Sequence, residues 1–168
     1  MVQGIIIPAD NTAPLAAARL DSLEDYPQSV GGWFEAVDIP DLSITMYVNE
    51  EGLIRDLPFN RRAAFLSRFH VLQARDARLV GDLAVVGLTD YEGENRELPS
   101  ELARRLLEPG VYRVRTREHP AGRWHEEPIY RDDDLETVIW ATLLRETSPA
   151  LAVQIERVEC VGEEHIQP

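Results

Sequence analysis

The sequence predicts an α+β protein, a mixed or antiparallel sheet packed by three to four helices. Short β-branched or alternating runs recur along the chain: QGIII at 3–7, WFEAVDI at 33–39, SITMYVN at 43–49 and LVGDLAVVGL at 79–88. Runs of this length and period are strand signals. Between and after them lie segments with apolar residues at helical spacing behind cap residues. The 168 residues, 44% apolar, suffice for an ordinary core.

Residues 3–7 read as a buried strand that ends at Pro8. Asn11 or Thr12 then caps a helix with Pro14 in its first turn and Ala16, Leu20 and Leu23 on one face, running to about residue 25, where Pro27 ends it. After Gly31-Gly32, Trp33, Glu35 and Val37 alternate with Phe34, Ala36 and Asp38 as in a half-buried strand. The next strand, SITMYVN, leads into Asn49-Glu50-Glu51-Gly52, a tight reversal in which Gly52 is free to take positive φ. Asn60 caps a helix from Arg61 to about Phe69. Residues 79–88 are the most apolar stretch and predict a central strand, with Gly81 and Gly87 marking bends or a close backbone approach. Ser100 opens a short helix with Leu102, Ala103, Leu106 and Leu107 inward, closed by Pro109-Gly110.

The remaining residues read strand, turn, strand, helix, strand: VYRVRTRE, HPAG, RWHEEPIY, a helix, then LAVQIERVECV. Asp133 with Glu136 three residues on is a capping box, in which each side chain satisfies an orphan amide. Leu135, Val138, Ile139 and Leu143 give that helix a core face, and the tail GEEHIQP is expected to fray. Core filling accounts best for Trp140, whereas Trp33 beside its glycine pair suits either core or contact surface.

Thirty acidic residues face seventeen basic ones, a formal charge of −13 spread along the chain. Such a surface repels a phosphate backbone, so direct nucleic-acid binding is disfavoured and basic protein partners are favoured. All seventeen cations are arginine, which excludes a Schiff-base lysine or a phosphate-loop lysine and fits a GC-rich, arginine-biased genome. The single Cys160 excludes an internal disulfide and a multi-cysteine zinc site, and a thiol in an alternating strand is expected to be buried and inert. The N-terminus shows no basic leader, and no run approaches the ~20 apolar residues of a membrane helix, so the expected location is the cytoplasm.

Three spaced motifs, VGGWFEAVDI, MYVNEEGLIRDLPFNRRA and RLVGDLAVVG, occur in order over residues 30–87. Their order resembles a small family of intracellular domains of bacteria, plasmids and phages, a domain of unknown function, and the resemblance covers roughly residues 2–108. It implies a family-like domain at 1–109, and the strand-strand-helix-strand extension at 110–168 is expected to pack on that domain. It also implies the habitat of an actinobacterial phage or mobile element, and it brings no settled activity.

The family's Asn-Glu-Glu-Gly turn and Leu-Pro-x-Asn-Arg element correspond here to Asn49, Glu50, Glu51 and Gly52, and to Leu57, Pro58, Asn60 and Arg61. With Glu35 they assemble carboxylates, amides and a guanidinium, a set suited to a cation or a polar ligand. The plainer account is a turn, a helix cap and an Arg–Glu pair. His119, His125, Glu126 and Glu127 form the densest histidine cluster, but their spacing matches no helical zinc motif, so neither metal nor cofactor is expected. Glu126 and Glu127 instead suit neutralisation of Arg113, Arg115 and Arg117, which share one strand face. No nucleophile elbow or phosphate loop occurs, and Trp33, Trp124 and Trp140 are too scattered for a stacking platform. The expectation is a non-enzymatic protein that binds and modulates a host or phage protein, host defence or DNA-binding machinery by acidic mimicry being the sharpest form. Its candidate binding residues are Glu35, Asn49, Glu50, Glu51, Asn60 and Arg61, with no catalytic residue assigned. A small-molecule or metal-binding hydrolase using the same motifs is the alternative.

Overall fold

The structure, a computed structural model, describes residues 3–20, 22, 24–71, 73, 77–92 and 94–158. It divides into two compact units, residues 1–108 and 109–168. Every strand pairing within the two sheets is antiparallel, which makes the fold α+β.

The first unit contains β1 (Gln3–Ile7), β2 (Ala16–Arg19), α1 (Asp25–Val30), β3 (Phe34–Ile39), β4 (Ile44–Asn49), α2 (Arg61–His70), β5 (Leu83–Gly87) and α3 (Ser100–Leu107). Its sheet has the order β2-β1-β5-β4-β3. Strands β4 and β5 are buried at every position, as their near-continuous apolar sequence requires of strands covered on both faces. Side chains alternate between the faces. On one face Ala84, Val86 and Tyr47 pack with Tyr26 and Val30 of α1 and with Leu20. On the other face Ile5, Ile7, Ile44, Met46, Leu83 and Val85 are all fully buried. Gly87 is required by a close approach: a Cβ there would run into the Glu97 carbonyl oxygen and lie 2.8 Å from that of Arg96.

Three local expectations are corrected. The segment read as a helix to residue 25 forms instead the edge strand β2, registered Gln3↔Arg19 through Ile6↔Ala16 against β1. Alanine has no β preference of its own, and pairing with β1 overrides the sparse helical spacing. Leu23 lies outside the described residues. Helix α1 begins where the predicted helix was to stop, and Pro27 sits in its first turn, where no intrahelical donor is needed. Finally, Gly52 does not take positive φ. Residues 50–56 coil through Gly52 N–H→Asn49 O and Arg55 N–H→Glu51 O, and Asp56 is the left-handed residue, with φ 52°. What Gly52 supplies is closeness, because a Cβ would lie 2.7 Å from Val80 Cγ2.

The second unit contains β6 (Val111–Arg117), β7 (His125–Arg131), α4 (Asp134–Thr147) and β8 (Ala152–Val158), with β6 in the centre of a three-stranded sheet. Strand β6 alternates: Tyr112, Val114 and Thr116 are buried, while Arg113, Arg115 and Arg117 face partly outward. Asp133 caps α4 by accepting the Glu136 N–H at 2.8 Å. The pairing of β7 with β6 is irregular between Arg113 and Arg115, around Pro128, which has no N–H to give the ladder. Trp140 is not a core filler. It is 40% exposed, stacks under the Arg131 guanidinium at 5.1 Å and donates to Glu136. Arg113 pairs with Glu126 and Glu156, and Arg115 with Glu156. Glu127, expected to share that task, instead accepts the Thr116 hydroxyl, while Arg117 stacks on Trp124. Hydrogen bonding to Glu156 is the first cause holding the Arg113 pKa above its ordinary value. Cys160 and the GEEHIQP tail lie outside the described residues. No helix among the described residues is long and apolar enough to cross a membrane.

Candidate functional site

The motif residues occupy two places in the first unit. Asn49 ends β4 and is buried; its Nδ2 donates to Val30 O at 3.1 Å and its Oδ1 accepts the Glu51 N–H at 2.9 Å. The Glu50 N–H donates to Trp33 O at 3.0 Å, so the 50–56 coil lies beside the Gly31–Trp33 turn. Arg55 Nη1 fastens the same junction by donating to Gly31 O at 2.6 Å. The side chains of Glu50 and Glu51 are exposed, as is Glu35, which stands on β3 opposite Val48.

Asn60 belongs to a different network. Fully buried, it accepts the Ala63 N–H at 3.1 Å as N-cap of α2, and its Nδ2 donates to both Ile7 O and Gly81 O at 2.9 Å. One amide thus starts a helix and joins it to β1 and to the turn before β5. Arg61, the first residue of α2, is partly buried. The structure therefore groups Asn49, Glu50 and Glu51 at the end of β4 and sets Asn60 on Ile7 and Gly81.

Two polar constellations escaped the reading of the sequence. Arg62, 8% exposed, donates to Pro8 O, Asp10 O and Ala13 O at 2.7–2.9 Å, clamping the turn after β1. Hydrogen bonds from Thr12 hold the Asp10 carboxyl below its ordinary pKa, with a smaller contribution from Arg62. The second constellation centres on Asn95, which donates to Tyr26 OH at 2.7 Å and accepts from Tyr47 OH at 2.7 Å and Thr89 Oγ1 at 2.8 Å. Thr45 extends it, lying 3.2 Å from Thr89 and donating to Asp38 at 2.7 Å. The Tyr26 and Tyr47 rings lie 4.5 Å apart, and burial, followed by the neighbouring Tyr47, pushes the Tyr26 pKa up to about 12. A Tyr–Asn–Tyr arrangement of this kind carries no spacing signal.

At the junction of the 31–33 and 50–56 segments, three large apolar side chains face solvent: Trp33 at 72%, Leu53 at 61% and Ile54 at 88% exposed. A recess of about 310 Å³ lies close by, bounded by Gly31, Arg55, Leu57 and Asp82 among others. Among the described residues, no group of three or more His, Cys, Asp or Glu side chains is placed to hold a metal ion.

Residues 2–109 match the family described as a domain of unknown function, DUF3846. The chain belongs to DUF3846. The match spans the five-stranded sheet together with both networks, while β6, β7, α4 and β8 stand outside it. No curated protein and no solved structure matches the chain. The DUF3846 region thus contains the Asn49 and Asn60 anchors and the exposed Trp33–Ile54 surface alike.

Proposed function

We propose that this chain is a binding protein of a phage or mobile element. It would attach to a basic, DNA-binding host protein and modulate it. The observation that carries this reading is the exposure of Trp33, Leu53 and Ile54 on two segments tied by Glu50 N–H→Trp33 O and Arg55→Gly31 O. Large apolar side chains exposed together mark interaction surfaces, and aromatic anchors commonly dominate the binding energy of an interface. Glu35, Glu50 and Glu51 are exposed on the strand and turn that flank this surface, on a chain of net charge −13. The complementary partner is a cationic surface with an apolar recess for the indole, and a DNA-binding enzyme supplies such a surface. The anchoring bonds of Asn49 and the turn keep the backbone beneath the surface ordered, which lowers the entropic cost of binding.

The test captures partners of the tagged protein from an actinobacterial lysate, alongside a Trp33→Ser/Ile54→Ser variant. It then repeats the binding with the purified partner in competition with duplex DNA. The expected result is a basic protein captured stoichiometrically by the wild type, released by salt and by DNA, and lost from the variant. Capture that the variant retains, or that DNA leaves unaffected, would overturn the reading, as would failure to capture any protein.

A further inference from the structure

At the β2 edge of the first unit's sheet, a cleft of about 620 Å³ opens between β1, β2 and α3. That volume falls within the roughly 300–1,000 Å³ of ordinary ligand pockets. Small side chains create it. Ala17 opposes Ile5 across the strands, and α3 turns Ser100, Ala103, Arg104 and Leu107 toward the space while Leu102 and Leu106 are buried. Spacing of i, i+3, i+4 and i+7 makes that one continuous helix face, so the cleft runs along α3, with Ala103 and Leu107 as the apolar part of that side and Ser100 and Arg104 as its polar part.

Four charged side chains line the same space, Arg19, Glu97, Arg104 and Glu108, and Arg104 is engaged by Glu101. Arg19 pairs in register with Gln3 on β1, and the Gln3 carbonyl accepts the N–H of Leu98, the residue after Glu97. Arg19 and Glu97 are thus held near Gln3 by backbone bonds. Among the described residues, neither side chain has an ion-pair or hydrogen-bond partner. Two unengaged charges of opposite sign beside an apolar wall complement a ligand that carries both charges and an apolar group.

We propose that the cleft binds an α-amino acid with an apolar side chain. Arg19 takes the carboxylate, Glu97 takes the ammonium, and the apolar surface of Ala17, Ala103 and Leu107 takes the side chain. The site shares no residue with the Trp33–Ile54 surface, so either proposal can fail while the other stands.

Calorimetric titration of the full chain with L-phenylalanine tests the proposal, with 3-phenylpropanoate and 2-phenylethylamine as probes that each lack one charge. Saturable binding of the amino acid is expected, weakened at least about tenfold for either analogue and in Arg19→Gln or Glu97→Gln. Both substitutions lie at exposed positions and leave the core intact, which circular dichroism would verify. Ala103→Trp, which fills the cleft, is expected to abolish the binding. Three outcomes overturn the assignment: no saturable binding at millimolar amino acid, equal binding of 3-phenylpropanoate, or unchanged affinity in both charge variants.

Discussion

Strands β5 and β6 lie inside their respective sheets yet obey different rules. All five residues of β5 are buried, whereas β6 buries Tyr112, Val114 and Thr116 and turns its three arginines partly outward. In the first unit the buried amides of Asn60 and Asn49 have their hydrogen bonds met by the backbone around them. In the second, the outward face of β6 is organised by Arg113, Glu126 and Glu156, side chains that retain access to solvent. The first unit is therefore expected to depend on buried polar anchors and on both strand faces, and the second on one face alone.

The largest effect that separates them is expected at Asn60. Asn60→Ala removes a helix cap and leaves two buried carbonyls without their donor, a loss of about 3 kcal/mol in equilibrium urea unfolding. An unchanged midpoint would mean that the network is dispensable. Next come adjacent strand positions. Val85→Ala and Val86→Ala, on opposite faces of β5, should each cost about 2 kcal/mol, whereas on β6 Val114→Ala should cost as much and the neighbouring Arg115→Ala less than about 1 kcal/mol. Equal costs at Val114 and Arg115 would break the comparison. Asp133→Ala should cost about 1 kcal/mol through loss of the α4 cap.

A separate effect concerns pH. Because the folded pKa of Tyr26 is raised, its proton contributes stability that is complete below the ordinary tyrosine value of about 10 and is lost as pH rises to about 12. Ultraviolet titration should show an ionisation near the top of that window in the wild type that is missing from Tyr26→Phe. An identical titration in the wild type and Tyr26→Phe above the ordinary value would show that Tyr26 is not buried as described.

Features governed by neighbours in sequence were legible. The caps at Asn60 and Asp133, the apolar run of β5 and the alternation of β6 each follow from chemistry confined to a few residues. Features completed by distant partners were not. Ala16–Arg19 is a strand because β1 pairs with it, and Tyr26 finds Asn95 across 69 positions. Adjacent Arg61 and Arg62 look alike in sequence, yet it is Arg62 that clamps the carbonyls of Pro8, Asp10 and Ala13. Among the candidate binding residues, the sequence marked Asn49 and Asn60 as polar groups in special settings. Their bonds to Val30, Ile7 and Gly81 became visible only with the fold. The exposure of Trp33 and Ile54 likewise depends on how two turns meet.

The order of the first sheet also sets a schedule for synthesis. Strand β5 lies between β1 and β4, with Ile7 opposite Leu83 and Tyr47 opposite Ala84. Until β5 emerges from the ribosome, the nascent chain holds two hairpins, each with an open edge, and contacts this distant in sequence form slowly. A chain interrupted before Leu83 would expose both edges to other polypeptides, so the interval between the synthesis of β1 and that of β5 is the one in which this sheet is most open to aggregation.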